Sequence, residues 1–158
     1  MTITADLRFV IRRDALSQTR FDSDPDAPGR SALEEGQARL AIEHFALTAN
    51  NVTYAAFGET LQYWQFFPTT DGAWGCLPVW GFATVSESRA AGVDIGRRLW
   101  GFFPAGSHLV VQPGRIGTAG FVDQMAHRQA LSPIYNAYAF CDVDPSWQPA
   151  LEMCIRDS

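Results

Sequence analysis

Apolar and polar positions alternate along this chain mostly in short stretches, cut by glycine and proline. Leu7 to Arg12 is a short β-rich run and reads as an edge strand. Gly36 to Leu47 gives the clearest alternation: Leu40, Ile42, His44 and Ala46 on one face, Ala41, Glu43, Phe45 and Leu47 on the other. Leu77 to Val85 is strand-like, with Gly81 permitting a bulge or a close backbone approach. Ser86 to Gly92 reads as a turn, and Gly96 to Pro104 and Ser107 to Gln112 as two further strands. Helical spacing is rarer. Thr60 to Phe67 places Leu61, Trp64 and Phe67 along one face of a short helix. Phe121 to Leu131 reads as a second, with Asp123 and His127 one turn apart and an ion pair between them the plain expectation. The pattern predicts a mainly β or α+β fold with short helices, arranged as a barrel or a sandwich.

One stretch departs from this pattern. Phe45 to Phe67 is apolar and aromatic but contains Asn50-Asn51, followed by Tyr54 and Gly58. Short amides bond their own backbone and favour turns. The stretch therefore reads as a strand leading into a shaped loop, and loops on a rigid scaffold are where binding and catalysis concentrate.

Composition narrows the function. With 158 residues, 47% hydrophobic and 18% charged, the chain can bury one core. Its 11 Phe and 5 Trp imply an aromatic core or an apolar surface that meets a partner. A net charge of -5 and no basic cluster beyond Arg97-Arg98 argue against nucleic acid and against an anionic membrane surface. Cys76, Cys141 and Cys154 form no C-x-x-C pair and no zinc framework, and an odd number of cysteines behind a start without a signal-peptide pattern suggests reduced thiols in a cytoplasmic protein. The alternating aspartates of Asp22 to Gly29 approach a calcium loop, but Ala27 stands where that loop needs Gly and Leu33 where it needs Glu. A solvated loop is the expectation there. His44 has no second ligand at metal spacing. Ser107, His108 and Asp123 lack a nucleophile elbow, so hydrolysis is set aside. The glycines at 114, 117 and 120 do not make a dinucleotide fingerprint.

Several motifs, in order, carry a resemblance. They are G-Q-A-R-L-A-I at Gly36, A-L-T-A-N-N ending at Asn51, P-V-W-G-F-A-T-V at Pro78, G-R-R-L-W-G at Gly96 and S-H-L-V-V at Ser107. Together they resemble the N-terminal GroES-like (chaperonin-10-like) barrel of medium-chain dehydrogenases/reductases. The segments N-N-V-T-Y-A-A-F-G, Y-W-Q-F-F-P and H-R-Q-A-L-S-P-I-Y-N-A-Y more closely resemble an uncharacterised bacterial family, a domain of unknown function distantly related to that superfamily. The resemblance runs from about Leu7 to Trp147. Zinc-dependent members place Cys at the position of Asn50 and His at that of Phe82; the turn Asp is Arg97 here. The resemblance therefore implies no metal.

It implies a partly open barrel spanning residues 1–150, lacking the nucleotide-binding domain expected to follow it in cis. Residues 151–158, ending M-C-I-R-D-S, resemble translated adaptor sequence and are read as a non-native tail. The implied activity is that of the substrate side of a zinc-free NAD(P)H-dependent oxidoreductase acting on an enone, enoyl thioester or quinone, that is, a small apolar carbonyl substrate. NAD(P)H is expected only for an intact protein, and the chain alone is expected to be inactive and poorly soluble. Tyr54 is the candidate hydrogen-bond donor or proton source, because a phenol with a pKa of about 10 stays protonated at neutral pH. Asn50 would orient substrate or nicotinamide, and Asn51, Tyr63 and Trp64 would bind substrate. Each also has a structural reading: Asn50 and Asn51 as turn residues, Tyr54 as a packed aromatic, and Tyr63 and Trp64, with His108, His127 and Tyr135, as parts of the core or its hydrogen bonding. The alternative function is a non-catalytic ligand- or protein-binding module with Trp64, Trp80 and Trp100 as contact area. Homo-oligomer formation stays open.

Overall fold

The two edges of the main sheet are neighbours in sequence, and this curls the sheet toward closure. The computed structural model describes residues 6–23 and 31–144. Its strands are β1 (Leu7–Arg12), β2 (Ala15–Ser23), β3 (Ala38–Phe45), β4 (Trp74–Cys76), β5 (Pro78–Ser88), β6 (Arg98–Pro104), β7 (His108–Val111), β8 (Pro113–Gly114), β9 (Gly120–Asp123) and β10 (Ala137–Phe140). One α-helix, α1 (Ala49–Ala56), follows β3. Seven strands form an antiparallel sheet in the order β7-β3-β5-β6-β10-β9-β8. Only Gln112 separates the edge strands β7 and β8 in the chain. The Gln124 amide donates to the Gln112 carbonyl at 2.8 Å, and the Gln112 amide donates to the Asp123 carboxylate at 2.8 Å. The protein is thus mainly β, with a nearly closed, barrel-like seven-stranded sheet.

A second sheet, β2-β1-β4, docks beside it. Its anchor is the turn after β6: Phe9 N–H donates to Ala105 O at 2.7 Å and Ser107 N–H to Leu7 O at 2.9 Å. Leu7–Arg12 is therefore the central strand of three rather than an edge. The Ala15–Ser23 partner escapes the apolar pattern because most of it faces solvent, Phe21 included. Asp22 and Ser23 end this strand; residues 24–29 of the expected solvated loop lie outside the described residues, as do residues 151–158.

Two predicted helices are corrected. Thr60–Phe67 holds only a 3₁₀ turn at Tyr63–Gln65, entered through Gln62 in the left-handed region at φ +60°. Phe121–Leu131 divides into β9 and a 3₁₀ turn at Ala126–Arg128. Without a helix, residues four apart no longer face each other. Asp123 pairs with Arg128 instead of His127.

The core is aromatic and aliphatic, with Leu40, Val79, Val85, Leu99, Phe102, Phe103 and Phe140 fully enclosed. Gly81 does permit a close approach: a Cβ there would overlap the His44 carbonyl, where the β3–β5 register shifts. Cys76 and Cys141 are buried, and burial raises the Cys76 thiol to about 11. Among the described residues no helix is long and apolar enough to cross a membrane.

Candidate functional site

The asparagine pair makes a helix start, which corrects the expected loop. Asn50 and Asn51 lie in the first turn of α1, with Thr48 at the N-cap. A short amide is unfavourable in a helix interior but useful at this end, where backbone N–H groups lack partners. Asn51 Oδ1 accepts from Thr48 N–H at 2.6 Å, and Asn51 Nδ2 donates to the Pro78 carbonyl at 3.0 Å. Asn51 is buried and ties the helix start to β5.

Asn50 sits one turn before Tyr54, which brings the two side chains together. Asn50 Nδ2 donates to Tyr54 Oη at 2.9 Å. From β5, Trp80 Nε1 donates to the same oxygen at 3.3 Å. Both partners can only donate through these nitrogens, so the phenol oxygen accepts twice. No described residue accepts the proton of Tyr54. Its ring is 6% exposed and packs on Tyr63 (centroids 4.7 Å apart) and edge-on to Phe102 (5.6 Å).

Tyr63 extends the cluster. Its hydroxyl is 3.3 Å from that of Tyr135, which lies 72 residues away. That hydrogen bond and partial burial push Tyr135 up to about 12, so it stays a neutral phenol at any physiological pH. Tyr135 also packs on Phe66, Trp80 and Phe102. The result is an aromatic wall carrying three phenol hydroxyls and an indole N–H.

Trp80 joins this wall to a groove. Its indole stacks on Trp100 with centroids 5.9 Å apart and planes 14° from parallel. The two tryptophans line a groove of 620 Å³ with Arg115, Phe121, Ile134 and Tyr138. Tyr54, Asn50 and Tyr63 do not line that groove; Trp80 lies between it and Tyr54. Trp64 does not line the groove. It is 3% exposed, and a Cβ at Gly58 or Gly75 would overlap its indole. The structure thus brings Asn50, Tyr54 and Tyr63 together and places Asn51 and Trp64 in the packing that supports them.

A family described as "Protein of unknown function (DUF2855)" matches residues 45–156. The chain belongs to the DUF2855 family. No curated protein matches it. The match begins at Phe45, so α1, the tyrosine cluster and the tryptophan groove all lie within the DUF2855 region.

Sequence reasoning missed Trp80 as a partner of Tyr54 and Tyr135 as a partner of Tyr63. No local spacing encodes either contact. Among the described residues no group of three His, Cys, Asp or Glu is placed to hold a metal. Phe82 packs between Trp100 at 4.8 Å and His44 at 5.2 Å.

Proposed function

We propose that this DUF2855 domain is the substrate side of a zinc-free NAD(P)H-dependent reductase with a GroES-like barrel, and that its substrate is an apolar enone, enoyl thioester or quinone. The observation that carries this reading is Tyr54, whose oxygen accepts from Asn50 and Trp80 and whose proton has no described acceptor. Two donors to one phenol oxygen polarise the O–H bond and fix its direction. Such a neutral donor suits a carbonyl oxygen on which negative charge develops during reduction. Tyr54 would hold that oxygen, and Asn50 and Trp80 would orient Tyr54. Tyr63, Tyr135 and the tryptophans would bind the apolar body and exclude water.

The described residues do not fit the dinucleotide. The glycine-rich Pro113–Gly120 segment is the β8–β9 hairpin, not a strand feeding a helix N-terminus. In this proposal the cofactor belongs to a nucleotide-binding domain in cis. Leu47, Val52, Phe57 and Leu61, all well exposed around α1, support a covering partner beside the site.

The stacked Trp80–Trp100 wall of the groove favours a second reading, a non-catalytic module that holds an apolar ligand. NAD(P)H consumption by the protein carrying both domains, with an aromatic enone as substrate, separates the two. The reductase predicts enone-dependent consumption that falls at least roughly tenfold in Tyr54→Phe. Enone binding with no consumption would contradict catalysis and leave the binding module.

A further inference from the structure

Phe66 belongs to the tyrosine cluster and also to the wall of a second cavity, of 510 Å³. Two arginines line that cavity from distant parts of the chain: Arg8 on β1 and Arg128 after β9. Arg128 is 1% exposed. Its Nη1 donates to Tyr138 Oη at 3.2 Å, its Nη2 donates to Val110 O at 3.4 Å, and it pairs with the buried Asp123 carboxylate. Its Nε is buried with no acceptor. Arg8 repeats the arrangement with less compensation. Its Nη1 donates to Pro68 O at 3.1 Å, its Nε is buried with no acceptor, and no described carboxylate pairs with it. Glu34 also borders the cavity but is exposed.

A buried donor without an acceptor carries the full cost of its desolvation. One such atom can be local strain. These Nε atoms are themselves enclosed, and Arg97 Nε is in the same position elsewhere, so they locate no site alone. What marks this cavity is two guanidinium groups in one wall, one of which, Arg8, has no described carboxylate beside it. The guanidinium edge suits an oxyanion, because its N–H groups lie in one plane and match two oxygens of a carboxylate or phosphate. The rest of the wall includes Phe66, Phe67, Pro68 and Leu109, so the occupant has an apolar part. The two charges also converge on His127, which lines the same cavity. Its imidazole is held below the usual histidine range by burial first and by Arg128 next, with Arg8 adding to the effect.

We propose that this cavity binds a small organic oxyanion, a carboxylate or a phosphate ester, with the oxygens between Arg8 and Arg128 and the apolar body on Phe66, Phe67 and Leu109. The site goes beyond the Tyr54 reading. It takes a charged group where the tyrosine cluster takes a neutral carbonyl, and it requires no nicotinamide.

The test is calorimetric titration of the full chain with phenylacetate, phenyl phosphate and the neutral control phenylacetamide, with the His127 imidazole followed by NMR. At least one anion should bind saturably and at least roughly tenfold more tightly than the amide. A bound anion beside His127 should raise its titration midpoint. Preference for phenylacetate assigns a carboxylate, and preference for phenyl phosphate assigns a phosphate ester. Arg8→Gln should lower the anion affinity at least roughly tenfold while enone binding at Tyr54 stays unchanged. Arg8→Lys, which keeps the charge and loses the fork, should fall between wild type and Arg8→Gln. The site is overturned if neither anion saturates, if the amide binds as well, or if folded Arg8→Gln binds like wild type. Should Arg8→Gln fail to fold, Arg8→Lys and the anion–amide comparison decide the matter.

Discussion

The tyrosine cluster and the Arg128–Asp123 pair both bring polar atoms into an aromatic core, and they do so by opposite means. Around Tyr54 the partners are amide, indole and phenol groups, Asn50 is exposed, Tyr63, Trp80 and Tyr135 are half-buried, and no ion pair is involved. Around Arg128 a full positive and a full negative charge lie within a few per cent of complete burial. Neutral donors can be removed one at a time at small cost, so such a cluster can be shaped for binding without endangering the fold. A buried ion pair cannot, since taking away one partner strands the other's charge. The comparison predicts that the neutral cluster can be altered for recognition without endangering the fold, while the Arg128–Asp123 pair is first of all structural.

The largest effect expected is on the charged side. Arg128→Met leaves Asp123 buried without its partner and should lower unfolding free energy by about 3–5 kcal/mol, measured by denaturant unfolding. Arg128→Met combined with Asp123→Leu should recover most of that loss. Equal losses in the single and double variants would show that the pair is not coupled in this way. Next comes Gly75→Ala, which forces a Cβ into the Trp64 indole and should cost about 1–3 kcal/mol. A neutral result would mean that Trp64 is free to move, and the boundary between site and core would have to be redrawn. Tyr54→Phe should cost only about 1 kcal/mol, because Asn50 can turn to solvent. A loss as large as that of Arg128→Met would erase the contrast between the regions.

The smallest effect is electrostatic. Tyr135 is raised above its ordinary value of 10.0 to about 12, so the folded state holds its proton more tightly than the unfolded chain. That contribution is fully present below about pH 10 and is lost as pH rises toward about 12. Tyr63→Phe should move Tyr135 back down, because its hydrogen bond with Tyr63, which holds the proton on Tyr135, is the main cause. Phenolate absorbance during alkaline titration reads this directly. An unchanged titration would mean that the two hydroxyls do not interact.

Much of the barrel was legible in the sequence because its strands carry period-two alternation and end at Gly or Pro. Gly36–Leu47, Leu77–Val85, Gly96–Pro104 and Ser107–Gln112 each became a strand within a few residues of the expected bounds. β2 was hidden because its outer faces meet water and its apolar residues follow no buried stripe. Helix α1 was hidden for another reason: Asn-Asn carries a turn signal, and only the surrounding Thr48 and Pro78 contacts reveal it as a capped helix start. At the site, the Asn50–Tyr54 spacing was readable as one helical turn only once the helix was known. Trp80 and Tyr135 reach the cluster through sheet pairing and a long return of the chain, and neither contact leaves a local mark. The same holds for Arg8 and Arg128, which line one cavity with β1 docked on the turn after β6.

The central claim is that Tyr54 donates its proton to a ligand carbonyl. Its most direct test is tryptophan fluorescence titration of wild-type and Tyr54→Phe protein with an aromatic ketone and with the matching hydrocarbon. Wild type should prefer the ketone by roughly tenfold, and Tyr54→Phe should lose that preference while binding the hydrocarbon equally well. A ketone preference that survives in Tyr54→Phe would contradict that claim.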